Sequence, residues 1–482
     1  MNTVVSYLPA SDTERGHAHI LEVFERQHET AIRLRTSTVA ERLAKIKKLK
    51  QAVLDYTQEW YAAAAADYRK PPVEVDLTEI LPIIAEANDA ARRLKKWMKP
   101  VRVWPSRALI GTKAWMQYEP KGRCLIISPW NYPVNLTFCP LISAIAAGNT
   151  VILKPSEMTP NLSRVMAKLV KKVLAEDEVA MFEGDAAVAQ ALLELPFDHI
   201  FFTGSPAIGK VVMAAAAKHL ASVTLELGGR SPTIVDADAK LKEAAKNLMW
   251  SKFTNNGQTC IAPDHIYVHA SVKDEFVRYC RETLEAAYGS DPIKQKESPY
   301  LARVVNQRHT ARIKALLDDA KTRGARTLTG DVVNESECYI APTLIESIPD
   351  DARIMSEEIF GPLLPIIPYT DLDDVIRRIN AGPKPLALYI WSKNDANIDK
   401  VLKQTSSGGA CINHSVVQFL HGNLPFGGVN NSGIGSSHGH FGFKAFSHER
   451  AVVRNQMSMT ALFAPPYTAG MRKIANFLMK II

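Results

Sequence analysis

None of the six cysteines forms a C-x-x-C pair, and none clusters with histidine at zinc-ligand spacing. Structural zinc sites and thioredoxin-like redox pairs are excluded, and no metal is expected. The N-terminus "MNTVVSYLPASDTERGHAHI" lacks a basic start followed by an apolar core, so no secretory signal is expected. No apolar run approaches the roughly twenty residues that span a bilayer. The expected compartment is therefore a reducing cytoplasm with free thiols. Short-period repeats and low-complexity tracts are also missing.

What is present is ordinary for a folded protein. Hydrophobic residues make up 46% and charged residues 22% of 482 positions, too long a chain for one simple core. The formal net charge is +8, but the basic residues are scattered. The densest cluster, "KIKKLK" (45–50), lies in an amphipathic run whose Leu43, Ile46, Leu49 and Val53 are apolar. That pattern is a solvated helix face, and no nucleic-acid partner is expected.

The periodicity changes along the chain. Residues 40–68 read as one long helix, broken by the prolines at 71–72, after which helical spacing resumes. Residues 108–119 read as a strand or hairpin. Then come apolar runs separated by helical ones: "CLIIS", "TVILK", "HIFF", "SVTLEL" and "PTIVD". A second series follows Cys260: "HIYVH", "LLPIIPY", "LALYIW" and "ACIN". The alternation predicts two α/β domains with mainly parallel sheets, divided near 228–231. The tail ends in a short amphipathic stretch with Met471, Ile474, Phe477, Leu478 and Ile481 apolar. Docking on this protein or a sister subunit is expected of it rather than membrane contact.

Several strand-like runs end in loops where open α/β sheets bind ligands. One carries Trp130, Asn131 and Tyr132, another Lys154 and Glu157, a third Gly204 and Ser205. Gly204, Gly209 and Lys210 spell a P-loop but for the magnesium-binding hydroxyl, because Val211 follows. The segment also fails G-x-G-x-x-G, so it is either a phosphate contact or a tight turn. Glu226 interrupts an apolar run in "TLELGG". It is either a structural ion-pair partner or a base whose pKa burial raises. Cys260 sits in the polar "NNGQTCIAPD", where a reactive thiol competes with a small core hydrophobe. Together, Cys260, Glu226 and Asn131 match a nucleophile, a base and an oxyanion stabiliser. A P-loop-like nucleotide hydrolase and a non-catalytic basic scaffold or nucleic-acid binder are the competing readings.

The motifs "PWNYP", "KPSE", "FTGS", "LELGG", "GQTC", "EEIFGP" and "LPFGG" occur in this order, and the chain resembles the aldehyde dehydrogenase superfamily from roughly residue 20 to 468. "KKWMKP", "GQTCIAPD" and "FSHER" resemble its class 3 branch and bacterial coniferyl-aldehyde relatives. The resemblance implies the aldehyde dehydrogenase fold: a Rossmann-like NAD-binding domain (1–107 and 120–228), an α/β catalytic domain (229–445), and bridging or oligomerisation segments (108–119 and 446–482). It implies Cys260 as nucleophile, Glu226 as base, and Asn131 with the Cys260 N–H as oxyanion hole. For NAD, with NADP as a second acceptable cofactor, it implies Trp130, Lys154, Glu157, Gly204, Ser205, Gly209, Leu227, Gly228, Glu358 and Phe360. Tyr132 and His438 fall in the implied substrate pocket, and Trp130, Tyr132 and Phe426 suggest an apolar aldehyde. A homodimer is expected. The chain departs from the branch at Arg230, where lysine is usual, and at Ser437, where an aromatic is common and whose change is expected to alter the substrate entrance.

Overall fold

Alternating apolar and amphipathic runs build two largely parallel sheets. The structure, a computed structural model, describes residues 12–106, 109–457 and 464–481. The first eleven residues and Arg107 of the expected dinucleotide-binding segment, Ala108 of the expected bridging strand, and 458–463 and 482 of the tail lie outside the described residues. In the first sheet, "CLIIS", "TVILK", "HIFF" and "SVTLEL" become Arg123–Ile127, Thr150–Lys154, His199–Thr203 and Ser222–Glu226. Val179–Met181 extends one edge, and Gly433–Ile434 closes the other as the sheet's antiparallel member. Side chains alternate between faces: Cys124 and Ile126 join one core, and Leu125 joins the other. Helices cover both faces, which explains why these strands read as continuous apolar runs. Each fully buried Ile or Leu contributes about 1.5–3 kcal/mol.

The strand order positions the site. From Arg123–Ile127 the chain steps outward to Thr150–Lys154 and Val179–Met181, then returns to lay His199–Thr203 on the other side. The reversal opens a crevice beyond the carboxyl ends of Arg123–Ile127 and His199–Thr203. The segments entering it are 128–132 and 204–205.

The second sheet takes Pro232–Val235, His265–His269, Leu363–Tyr369, Ala387–Trp391 and Gly409–Ile412 from the predicted runs. Thr343–Glu346 and the antiparallel Arg326–Thr329 complete its seven strands. Carboxyl ends of the first sheet face amino ends of the second. Thr203, Glu226 and Leu227 share a cavity with Cys260 and Leu386, both of which precede second-sheet strands.

Three expectations change. The helix predicted over 40–68 is two helices, Val39–Asp55 and Thr57–Tyr68. The Trp60 indole N–H donates to the Val53 carbonyl at 2.9 Å, the acceptor that a continuous helix would give to the Thr57 N–H. The strand expected over 108–119 is Thr112–Pro120, and its main partner is the distant Ser447–Asn455. Val101–Val103 pairs its other edge. Ser447–Asn455 is mostly polar and exposed, so it carries no alternating signal. In the tail, Ala469–Ile481 is helical as expected; Ile474, Phe477 and Met479 are exposed on this chain, which narrows the expected docking to a sister subunit. Among the described residues, no helix is long and apolar enough to cross a membrane.

Candidate active site

The polar run before Cys260 is a backbone device. Asn255, Asn256 and Gly257 all have left-handed φ, at 53°, 53° and 75°. Asparagine tolerates that region and glycine occupies it freely. A Cβ on Gly257 would lie 2.3 Å from the Gly361 carbonyl oxygen, so no side chain fits there. The turn is pinned from every side. The Asn255 N–H donates to Glu74 at 2.8 Å. Gln258 donates to the Asn255 and Arg303 carbonyls and accepts from the Val305 N–H. Beyond the cysteine, the Tyr389 hydroxyl donates to the Ile261 carbonyl at 2.6 Å. Thr259 and Tyr132 share a hydroxyl contact of 2.5 Å.

Cys260 is half-buried and lines two cavities. Burial pushes its thiol up to about 12, with Glu358 and Glu226 acting in the same direction. The N–H groups of Cys260 and Ile261 favour the thiolate but do not outweigh burial. Glu226 is buried, which raises its carboxyl to about 8. Its Oε1 accepts from the Ser437 hydroxyl at 3.0 Å, whereas Oε2 has no partner. The structural ion-pair reading of Glu226 therefore fails. No cation lines its cavity, and no salt bridge reaches it among the described residues.

Asn131 is buried at the crevice, and one hydrogen of its amide donates to the Gln258 carbonyl at 3.0 Å. Its own carbonyl accepts from Asn255 Nδ2 at 2.9 Å, tying it to the cysteine's turn. Tyr132, Phe426 and His438 line a mainly apolar cleft of about 950 Å³ that also reaches Cys260. Trp250, Val416, Phe419 and Leu420 complete much of its wall. Trp130 is not part of that wall. It meets Phe360 edge-on at 5.4 Å and His309 at 5.2 Å.

The residues expected at a dinucleotide border the same crevice. Lys154 ends its strand, with Nζ 2.7 Å from the Pro155 carbonyl and 3.8 Å from the half-exposed Glu157 carboxylate. Ser205 caps the helix Pro206–Lys218, accepting from the Ile208 N–H at 3.4 Å. That helix end offers free N–H groups and a positive dipole to an anion. Gly204 lies against the Phe202 ring, and Gly209 lets the helix approach Leu227, where a Cβ would sit 2.7 Å from Cδ2. Val211 is exposed on this helix, at the position where a P-loop needs a hydroxyl. Gly228 faces the Glu358 carboxyl, which would meet a Cβ there. Burial raises Glu358 to about 8. This fits a dinucleotide: a helix N-terminus for pyrophosphate, a lysine–glutamate pair for ribose hydroxyls, and a glycine-walled crevice beside Glu358.

Three sets of contacts go beyond what the sequence shows, although Arg230 and Ser437 stand out in it as departures. Arg230 donates to Asp264 at 3.2 Å and to the Met355 carbonyl, and Asp264 accepts from the Ile359 N–H at 3.0 Å. The departure from lysine thus braces the segment that carries Glu358. Lys70 and Glu79 form a buried pair at 2.9 Å. Lys70 lies 4.2 Å from the centre of the Tyr132 ring, and Glu79 accepts from the Asn135 N–H. Such partners come from distant chain segments, which no local pattern reports. The third is Ser437. It lies behind Glu226 and not at the apolar cleft's wall, so the expected change at the substrate entrance is corrected.

Comparison with known proteins converges on one group. The Aldehyde dehydrogenase family profile matches residues 4–452. Human aldehyde dehydrogenase family 3 member B1 is 40% identical over 433 residues, 90% of this chain and 91% of that protein. A Pseudomonas aeruginosa PAO1 protein named "Probable coniferyl aldehyde dehydrogenase" is 37% identical, with 98% of each chain covered. The substrate-bound state of Staphylococcus aureus AldH superposes with a TM-score of 0.90 at 39% identity, covering 95% of this chain and 99% of that one.

Proposed function

Because this chain belongs to the aldehyde dehydrogenase family, oxidoreductases acting on aldehydes, we propose that it oxidises an apolar aldehyde to the carboxylic acid through a thioester on Cys260. Aromatic aldehydes, coniferyl aldehyde among them, and medium- to long-chain aliphatic ones are the substrate class. The observation that carries this reading is that Cys260 lines both the apolar cleft and the cavity holding Glu226.

The proposed cycle uses few groups. An aldehyde enters past Tyr132 and Phe426. The thiol gives up its proton, with Glu226, which shares its cavity, as a candidate acceptor that passes the proton on to solvent before the second half of the cycle, and Sγ bonds to the carbonyl carbon. The Asn131 amide and the Cys260 N–H receive the oxyanion; losing one such donor typically costs a hundred- to a thousandfold in rate. A nicotinamide held beside Glu358 and Phe360 would supply the hydride acceptor; loss of hydride from this carbon leaves a thioester on Cys260. Glu226 then takes a proton from water, hydroxide adds to the thioester carbon, and the carbon–sulfur bond breaks to release the acid.

NAD is the proposed cofactor. The Glu157 carboxylate beside Lys154 would accept from ribose hydroxyls and repel a 2′-phosphate. A panel of aromatic and aliphatic aldehydes, assayed with NAD and with NADP, tests substrate and cofactor together. Apolar aldehydes should give the highest kcat/KM, with NAD exceeding NADP. A clear NADP preference, or no reduction with any aldehyde, would refute the corresponding part.

We also propose a homodimer. The sheet of Val101–Val103, Thr112–Pro120 and Ser447–Asn455 exposes Val101, Val103 and Val453, with the fully exposed Trp104 beside it. Symmetric dimers commonly bury such patches. Sedimentation at micromolar concentration should give twice the chain mass, and a monomer would contradict the proposal.

A further inference from the structure

Ser437 stands where two constraints meet. Its backbone exchanges hydrogen bonds with Phe426, at 2.7 and 3.3 Å. Two residues on, the Gly439 N–H donates to both oxygens of the buried Glu86, at 2.9 and 3.0 Å. Between them His438 adopts a left-handed φ of 72°. The turn is therefore fixed before any substrate arrives, and so is the place of the Ser437 hydroxyl.

That hydroxyl has three neighbours: Glu226 Oε1 at 3.0 Å, His438 Nδ1 at 2.9 Å and the Phe426 carbonyl at 3.3 Å. It holds one proton. Once Glu226 is ionised, as it is above about pH 8, its carboxylate is the strongest acceptor of the three, so in that form the proton goes to Oε1. The hydroxyl oxygen is then free to accept from His438 Nδ1–H. Burial lowers His438 to about 4, so it is neutral and can hold that tautomer at physiological pH. The chain runs from His438 through Ser437 to Oε1, leaving Oε2 without a partner.

We infer that Ser437, oriented by His438, is the positioning residue of the Glu226 carboxyl: it holds Oε1 so that Oε2 faces the thioester and its water. The inference rests on the function proposed above and adds the device that sets its second half. Other groups facing the cavity do not supply this hold. Cys139 and Cys260 are thiols that burial keeps protonated, no lysine or arginine lines it among the described residues, and Glu86 is engaged by Gly439 and Ser143.

The sign of the effect follows. A hydroxyl donating to the carboxylate favours its charged, proton-accepting form. Without it, less carboxylate is present near neutral pH and water activation slows, and higher pH restores it. Rapid-mixing NADH fluorescence on Ser437→Ala and Ser437→Thr, from pH 6 to 10, tests this. Ser437→Ala should give a burst of one NADH per active site, then a steady phase about tenfold slower near pH 7, with its rising limb displaced upward by about one pH unit. The burst amplitude counts folded sites, so misfolding cannot mimic the result. Ser437→Thr keeps the hydroxyl and should restore both rate and limb. The inference is overturned if the alanine variant keeps the parent's steady rate and pH limb. It is equally overturned if threonine fails to rescue, or if the burst slows as much as the steady phase. Failure of the underlying function would look different: the unsubstituted enzyme would form no NADH.

Discussion

Cys260→Ser should abolish aldehyde-dependent NADH formation, with turnover falling by roughly a thousandfold or more. A serine hydroxyl is barely ionised at neutral pH and is a far weaker nucleophile than a thiolate. The size of the loss follows from the site's economy. Cys260 is the only thiol shared by the apolar cleft and the Glu226 cavity. Among the other cysteines, Cys280 is packed in the second sheet's core, and Cys338 sits beside a separate cluster. Cys338→Ser should therefore keep most of the activity. Steady-state kinetics of both variants, with active sites counted by cofactor binding, check the comparison. Near-normal turnover in Cys260→Ser would remove the covalent mechanism altogether.

Glu226→Gln should separate the two halves of the cycle. The amide keeps the size of the carboxyl and still accepts from Ser437, but it cannot take a proton from water. Thioester formation should proceed, and its hydrolysis should fall by a hundred- to ten-thousandfold, the range for losing a general base. Rapid mixing should show one NADH per active site and then almost nothing. The unsubstituted enzyme should show a pH signature that the variant lacks. Its base is held near 8, so the carboxylate fraction and the hydrolysis rate climb as pH rises through that value. In Glu226→Gln the slow phase should lose this limb. If Glu226 also removes the Cys260 proton, the burst slows without losing amplitude, since the thiol is held near 12 by its surroundings.

Much of this arrangement was legible in the chain, and the reasons are specific. Parallel strands, most of them covered on both faces, read as apolar runs, so nine of them stood out, from "CLIIS" to "ACIN". Loops at strand ends were visible as Trp130–Tyr132, Lys154–Glu157 and Gly204–Ser205, and the reversal of strand order brings the first and last of these together. The polar turn before Cys260 marked an unusual cysteine, but its three left-handed residues could be recognised only from the backbone. Short edge strands such as Gly433–Ile434 bury too little to leave a pattern. The ties that hold the site carry no local signal at all. Ser437 lies 211 residues from Glu226, Arg230 is 125 from Met355, and Tyr132 is 127 from Thr259. Each pair is made by the fold, so its meaning appears only once both sheets are in place.

The most direct test of the central claim is the mass of the quenched Glu226→Gln protein after one turnover with NAD and an apolar aldehyde. The account predicts one added acyl group per chain, located on the peptide that carries Cys260, in the same amount as the NADH burst. A burst with no adduct on Cys260 would contradict the thioester, and undiminished steady turnover would contradict the role given to Glu226.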